Sequence, residues 1–202
     1  MAGAPTADGT IDSTALRAAL AGTFFSGFGP LMVRNSPVDP AATAFWRLVI
    51  ALPVAMWLTR YQPRMPAKAK LLAMVAGLLI AGDLVFWNRA VMCTTILEAT
   101  LLGTLYPLPV AVGAWLFFGQ KIAGRVAVGG VLAFVGLALM TFGPTTGESN
   151  IQGNIDALIA ALFYAGCLLV TGRLCQTNSS VSVTAWMFLG AALSTLPLVL
   201  FE

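Results

Sequence analysis

The sequence contains no histidine and very little charge. Charged residues make up 9% of its 202 residues, against about a quarter in an ordinary soluble domain. Its three cysteines, Cys93, Cys167 and Cys175, show no Cys-x-x-Cys spacing, so without histidine the usual zinc ligand sets cannot be assembled. The sequence also has no phosphate-binding loop and no nucleophile triad. These absences predict a protein without metal or cofactor and argue against an enzyme.

Long uncharged apolar runs make up most of the sequence. Hydrophobic residues make up 58% of the chain, and the mean hydropathy is +0.87. The runs 99–120, 126–147 and 174–201 each reach about the 20 residues that a helix needs to cross the hydrocarbon of a bilayer. The few basic residues stand in short gaps between such runs and form no stripe that could bind nucleic acid. The composition therefore predicts an all-α polytopic membrane protein.

Seven apolar segments predict a bundle of about seven transmembrane helices. They lie at 15–33, 41–59, 69–88, 97–118, 123–142, 155–172 and 182–201. The first segment contains Gly27, Gly29 and Pro30, which tend to break a helix, and Pro107 predicts a kink in the fourth. Small residues at four-residue spacing predict close helix packing in two segments, at Ala18, Gly22 and Ser26 and at Ala73, Gly77 and Ala81.

The basic residues predict the orientation of these spans. Eight of the eleven lysines and arginines fall on one side of the membrane, and the other side carries Arg34 and Arg89, with Arg47 inside a span. By the positive-inside rule, the N-terminus is predicted to be cytoplasmic. Residues 1–14 contain two aspartates and no basic residue, so they are interpreted as a disordered cytoplasmic tail rather than a signal peptide.

A weak internal repeat suggests how the chain is organised. AGTFFSGFGPLMVR at 21–34 aligns with AALFYAGCLLVTGR at 160–173, an offset of 139 (160 − 21). This predicts a five-helix repeat over 15–142, an extracytoplasmic linker over 143–154, and the first two helices of a second copy over 155–202. An odd number of helices inverts the second copy in the membrane. Since the second copy is incomplete, the sequence is interpreted as a truncated ten-helix protein or a natural short one.

Asp83 and Arg47 are the main candidates for a functional site. Asp83 interrupts an otherwise uncharged run, and an ionisable group at membrane depth is a functional candidate by default. From the predicted spans, Asp83 lies about 7 Å and Arg47 about 9 Å below the outer ends of their helices. We expect both to face one cavity, either paired with each other or with one of them binding the charged group of a substrate. A static ion pair that locks two helices is the alternative.

Other polar and aromatic residues near these two complete the predicted cavity. Trp87 and Asn88 follow Asp83 by about one helical turn and share part of its face. Glu98 opens the fourth span, as an interfacial residue or, alternatively, in proton coupling. Tyr106 and Pro107 lie where a proline frees backbone carbonyls that could line a cavity.

FWRLVIALP at 45–53 and the segment 82–139 resemble the drug/metabolite transporter superfamily, specifically the EamA-type domain. The second segment begins GDLVFWNRAVM, contains LYPLP, and continues through the Phe118-Gly119 turn into a glycine-rich span. The resemblance implies a ten-span, two-repeat carrier in the inner membrane with both termini cytoplasmic, exporting amino acids, metabolites or drugs. The sequence departs from that pattern at three positions: Asn88 replaces a frequent histidine, Thr104 a common asparagine, and Gln120 the usual glutamate.

The expected function is therefore secondary transport of small organic solutes by alternating access around a midplane site. A non-transporting membrane subunit or an inactive truncated fragment is the alternative. A membrane-embedded enzyme is disfavoured, because Arg47, Asp83 and Glu98 are the buried or nearly buried ionisable residues that the sequence indicates. The expected partners are a small-molecule substrate, the lipid bilayer, and a second copy or another chain that supplies the missing helices.

Overall fold

The computed structural model describes residues 13–35, 39–120, 124–142 and 150–200, and these ranges are helical without any strand. The helices are α1 (Ser13–Ser26), α2 (Gly29–Arg34), α3 (Pro40–Leu58), α4 (Ala67–Cys93), α5 (Ile96–Gly103), α6 (Pro107–Phe118), α7 (Gly124–Phe142), α8 (Ile151–Thr177) and α9 (Ser180–Leu200). A short 3-10 turn, Thr59–Tyr61, follows α3. The predicted all-α class is confirmed. The predicted tail lies outside the described residues up to position 12, and the predicted linker does so over 143–149.

Five helical segments in the described ranges are long and apolar enough to cross a bilayer. They are Ala41–Tyr61, Ala67–Cys93, Ile96–Phe118, Ile151–Thr177 and Ser180–Leu200. These segments correspond to the second, third, fourth, sixth and seventh predicted spans, and α7 covers the fifth over 124–142. The chain is therefore a multi-pass membrane protein. The five-helix repeat and its inverted partial copy stay predictions.

The first predicted span is not one continuous helix. The structure ends α1 at Ser26 and begins α2 at Gly29. At the break, the backbone N–H of Gly27 is shared between the carbonyls of Thr23 and Phe24, at 3.1 and 3.2 Å. Pro30 stands in the first turn of α2, where its missing N–H leaves no helical hydrogen bond unmade. The expected single helix over 15–33 is thus replaced by two short ones.

Side-chain caps determine where three helices begin. The side chain of Asp39 accepts from the Ala41 N–H at 3.0 Å at the start of α3. Thr95 accepts from the Glu98 N–H at 3.2 Å at the start of α5. Asn150 caps α8 by accepting from the Gln152 N–H at 2.9 Å, so this helix begins four residues before the predicted span. Each cap satisfies a backbone donor that the first turn of a helix leaves without an intrahelical partner.

Helix α4 is the centre of the bundle, packed against α8 and α9. Its contact with α9 is very close: a Cβ at Gly77 would meet the backbone of Met187, Gly190 and Ala191. Ala73 and Ala81, one turn to each side, are almost fully buried. The stripe predicted in the third span therefore does allow close packing. The stripe predicted in the first span does not, since no described atom lies within 4 Å of the position a Cβ would take at Gly22.

Contacts at the two ends of the bundle show the helix directions. At one end, which we call the basic end, Lys70 near the start of α4 lies over the ring of Trp186 near the start of α9, 4.7 Å from its centroid. Arg173 near the end of α8 lies 4.0 Å from the ring centroid of Phe118 at the end of α6. Helices α6 and α8 therefore run towards the basic end while α4 and α9 run away from it. The basic end is the predicted cytoplasmic end.

Candidate functional site

A cavity of about 250 Å³ lies between α3, α4, α8 and the break between α5 and α6. Its lining residues are Arg47, Asp83, Leu84, Trp87, Thr100, Gly103, Thr104, Tyr106 and Tyr164. Tyr164 is the middle residue of α8 (151–177), and Asp83 stands three residues past the middle of α4 (67–93), about 4.5 Å along the helix. The cavity therefore lies near mid-depth in the bundle.

This position corrects the depth expected for Asp83. The sequence suggested that its helix ends at Asn88, which would leave Asp83 about 7 Å below the outer end. In the structure, α4 continues through Arg89 to Cys93, so ten residues, or about 15 Å, separate Asp83 from that end. Arg89, the first residue past the predicted end, has an ion-pair partner in a buried carboxylate on α8.

The break between α5 and α6 forms one wall of the cavity. Helix α5 ends at Gly103 and α6 begins at Pro107, so at the position of the predicted kink the span contains a short turn, in which the Leu105 N–H donates to the Leu102 carbonyl at 3.1 Å and the Leu108 N–H to the Leu105 carbonyl at 3.0 Å. Pro107 carries no N–H and cannot continue the hydrogen bonding of α5. Gly103 allows the ring of Trp87 to approach, since a Cβ there would lie 3.6 Å from the Cδ1 and Nε1 atoms of that ring.

Two threonine hydroxyls on this wall already donate their protons to the backbone. Thr100 donates to the carbonyl of Ile96 at 2.6 Å, and Thr104 donates to the carbonyl of Leu101 at 2.7 Å. A hydroxyl that donates in this way still has lone pairs to offer. This wall therefore presents hydrogen-bond acceptors to whatever occupies the cavity.

Arg47 and Asp83 bring opposite charges to the same cavity from different helices. Both side chains lie in the described part of the chain, and the structure records no ion pair within 4.0 Å between them. The Arg47 guanidinium lies beside the break between α1 and α2, where a Cβ at Gly29 would be 3.9 Å from its Nη2 atom. The arrangement differs from the static ion pair that the sequence left open as an alternative.

The aromatic lining comes from both halves of the chain. Tyr106 at the helix break and Tyr164 on α8 pack edge to face, with ring centroids 4.8 Å apart and an interplanar angle of 88°. Behind them, Phe86 and Phe163 are stacked with centroids 5.8 Å apart. Such pairs stabilise the α4–α8 and α6–α8 contacts beyond the apolar area that they bury.

Four of the seven predicted site residues line the cavity: Arg47, Asp83, Trp87 and Tyr106. The other three lie outside its lining: Asn88 is fully buried in α4, Glu98 stands in the first turn of α5, and Pro107 begins α6. The sequence did not indicate Thr100 or Tyr164. The internal repeat aligns Tyr164 with Phe25, but neither copy of that segment contains a predicted site residue, so the repeat gave no signal for the tyrosine.

A second polar cluster lies at the end of the bundle opposite the basic end. Asp156 on α8 is 1% exposed, and its Oδ2 lies 3.6 Å from Nε of Arg89, whose side chain is 49% exposed. Gln152 donates to the other carboxylate oxygen at 3.3 Å. Asp156 is a buried ionisable residue that the sequence did not indicate, because it stands at the boundary of a predicted span, where a carboxylate is ordinarily solvated.

Thr94, between α4 and α5, joins this cluster to the start of α8. Its hydroxyl donates to Oε2 of Glu98 and lies 2.9 Å from Oδ1 of Asn154. Gly153 packs against the same turn, since a Cβ there would lie 2.9 Å from the backbone nitrogen of Thr94. These contacts hold the first turns of α5 and α8 together.

Thr94→Val is expected to lower the free energy of unfolding by about 1–2 kcal/mol, because it leaves polar groups of α5 and α8 without the hydroxyl between them. The measurement is the thermal unfolding midpoint of the purified protein in detergent. Thr100→Val is the matched control, since the Thr100 hydroxyl donates to the Ile96 carbonyl within its own helix. Equal midpoints for both variants would contradict a bridging role for Thr94.

Comparison with known protein families gives one match that covers most of the cavity. The EamA-like transporter family matches residues 13–142, which contain eight of the nine lining residues. The ninth, Tyr164, lies on α8 beyond the matched segment. No curated protein matches the chain.

Proposed function

The chain belongs to the EamA-like transporter family, and from this premise we propose that it is a secondary carrier of small organic solutes in the cytoplasmic (inner) membrane. The observation that supports the proposal most directly is the mid-depth cavity, which combines charges of both signs with aromatic walls. Carriers that work by alternating access bind their substrate near the bilayer midplane, beside interrupted helices. The α5–α6 break at Tyr106 fits that pattern.

The polar contacts at the two ends of the bundle support alternating access as the mechanism. Opposite the basic end, Asp156 of α8 forms an ion pair with Arg89 of α4 at 3.6 Å. At the basic end, Ser179 donates to Gln62 at 2.7 Å, and Arg173 lies over Phe118. A carrier must separate one set of contacts while the other remains closed, so that the cavity opens to one side at a time.

The source of energy is proposed to be a solute or ion gradient. The sequence contains no phosphate-binding loop, so the proposal does not involve ATP hydrolysis by this chain. Asp83, near mid-depth in α4, is the ionisable side chain best placed to respond to a bound cation or proton.

The test is counterflow of labelled solutes into proteoliposomes that contain the purified chain. The panel includes neutral amino acids, organic cations, organic anions and sugars, and we expect saturable, protein-dependent uptake of at least one class. Gly103→Leu, which fills the cavity wall beside Trp87, should abolish that uptake. Gly172→Leu is the control, because no described atom lies within 4 Å of the position of its Cβ. If no panel member shows saturable uptake, the proposal that the chain is a carrier is overturned, and a non-transporting membrane subunit is favoured.

A further inference from the structure

We propose that the basic end carries a binding surface for the headgroups of anionic phospholipids, formed by the connection between α3 and α4. The surface, which we call the basic surface, consists of Arg60, Arg64, Lys68 and Lys70. It lies where two membrane-spanning segments meet the membrane surface, since one segment ends at Tyr61 and the next begins at Ala67. The proposal concerns the lipid around the protein and does not depend on the proposed transport function.

The two ends of the bundle differ in how their basic residues are balanced. The sequence contains no aspartate or glutamate over 40–82 or over 157–201. The basic surface and the neighbouring turn from α8 to α9 therefore contain no carboxylate. At the opposite end, Arg89 has Asp156 as its ion-pair partner. Clustered positive charges without a carboxylate beside them favour an anion from outside the chain, and anionic lipids supply one at this depth.

The backbone that carries these basic residues is held at two points. Met65 is 7% exposed and packs into a core formed by α4, α8 and α9. Gln62 accepts a hydrogen bond from the Ser179 hydroxyl at 2.7 Å. The basic side chains other than Lys70 are exposed from this fixed connection. The positive-inside rule requires basic residues on one side of the membrane but does not require a fixed arrangement of them.

Aromatic residues place the basic surface at the level of the lipid headgroups. Trp57 and Tyr61 pack edge to face with ring centroids 5.3 Å apart, and they are 51% and 69% exposed. Such side chains, with an apolar body and a polar tip, are enriched at the boundary between membrane and water. Lys70 lies over the ring of Trp186 and is thereby held at the same end of the bundle.

The start of α4 adds to the positive potential. Its first turn contains Lys68 and Lys70 and no acidic residue, and the preceding Pro66 has no side-chain acceptor for the first N–H groups of the helix. The N-terminal end of a helix carries a partial positive charge, so two lysines beside it are unfavourable without an anion. A lipid phosphate would compensate the lysines and the helix end together.

Exposed apolar side chains continue from the basic surface towards the middle of the membrane. They are Val54, Trp57 and Leu58 on α3, and Leu71, Leu72 and Val75 on α4. An occupant that contacts both regions needs an anionic head and an apolar tail. A phospholipid has both, whereas a soluble anion matches only the basic part.

The test measures which lipid contacts each end of α3 in vesicles. Two forms of the full chain each keep one tryptophan, Trp57 or Trp46, and have phenylalanine in place of the other four. Trp46 is the matched control, because it is 55% exposed and lies on the same helix, in the half away from the basic end. Vesicles contain phosphatidylcholine and phosphatidylglycerol, and one of the two lipids carries brominated acyl chains, which quench the fluorescence of a neighbouring tryptophan. We expect phosphatidylglycerol to be preferred about fivefold or more at Trp57 and less than about twofold at Trp46.

Charge variants in the Trp57 form identify the residues responsible. Arg60→Gln/Arg64→Gln/Lys68→Gln should reduce the preference at Trp57 to less than about twofold, because it removes three exposed positive charges. Arg60→Lys/Arg64→Lys/Lys68→Arg keeps the charges and should retain the preference. Salt provides a second measurement without any change to these residues: raising it from about 0.1 M to about 1 M should weaken the preference at Trp57 by screening.

Three outcomes would overturn the lipid site. The first is an equal preference at Trp57 and Trp46, and the second is a preference at Trp57 that the neutral variant leaves unchanged. The third is the absence of any preference at Trp57, which would leave the basic surface to a soluble anionic partner. Replacing chloride by phosphate at constant ionic strength separates the two sources of phosphate. A preference that persists supports the lipid, and a preference that is lost would assign the surface to free phosphate instead.

Discussion

Gly77→Leu is expected to lower the free energy of unfolding by roughly 3 kcal/mol, the largest effect on folding that we predict for a single apolar substitution. A Cβ at this position would meet the backbone of α9 at Met187, Gly190 and Ala191. A backbone contact cannot relax by changing a rotamer, so α4 and α9 must move apart. The separation would also remove apolar contacts around Ala73 and Ala81, which are buried in the same face of α4.

The thermal unfolding midpoint in detergent measures this effect, and for a chain of this length the loss corresponds to a decrease of about 10 °C. Gly172→Leu is the matched control, because the same side chain is added on α8 at an exposed position with no described neighbour within 4 Å. Its midpoint should stay within a few degrees of the wild type, or rise, since glycine is a poor helix former. An equal decrease in both variants would mean that the α4–α9 contact is not as close as described.

The second large effect is expected at the Arg89–Asp156 ion pair and should be asymmetric. Arg89→Gln leaves the carboxylate of Asp156, which is 1% exposed, without its opposite charge and should cost about 3 kcal/mol. Asp156→Asn should cost only about 1 kcal/mol. The released Arg89 side chain is already 49% exposed and can be solvated, and an amide oxygen can still accept from Gln152.

A double-mutant cycle on thermal unfolding tests the pair. The destabilisation by Arg89→Gln comes from leaving the buried Asp156 carboxylate without an opposite charge. The double variant Arg89→Gln/Asp156→Asn has no such carboxylate, so it should be more stable than Arg89→Gln alone. Counterflow on the same variants shows whether loosening this end of the bundle changes transport as well as stability. A larger loss for Asp156→Asn than for Arg89→Gln would contradict a buried carboxylate that depends on its arginine.

Sequence reasoning located most helices because their signals are local. The second, third, fourth, sixth and seventh spans follow from uninterrupted apolar runs, and the break at Pro107 follows from the missing N–H of proline. The family, confirmed over residues 13–142, follows from the order of small and aromatic residues along the same runs. The break of the first span between Ser26 and Gly29 was signalled by Gly27, Gly29 and Pro30, although the apolar run around them predicted one span.

The candidate site shows where such reasoning ends. Arg47 and Asp83 were indicated because a charge at membrane depth is unusual. Trp87 was indicated because it follows Asp83 by about one helical turn, and Tyr106 because it stands next to Pro107. Thr100 and Tyr164 are ordinary residues for a membrane helix, so they gave no comparable signal. Their place in the cavity depends on how α5 and α8 are rotated about their axes, which is a property of packing between helices.

The sequence by itself determined that this is a multi-pass helical membrane protein of a transporter family, because hydropathy, proline positions and residue order are properties of the chain alone. Only the tertiary structure decided that Arg47 and Asp83 share a cavity without an ion pair and that Tyr164 completes its wall. Only the tertiary structure, likewise, paired Asp156 with Arg89, more than sixty residues away in the chain (156 − 89 = 67). Those relations depend on the close approach of α4 to α8 and α9, which small residues permit but do not specify.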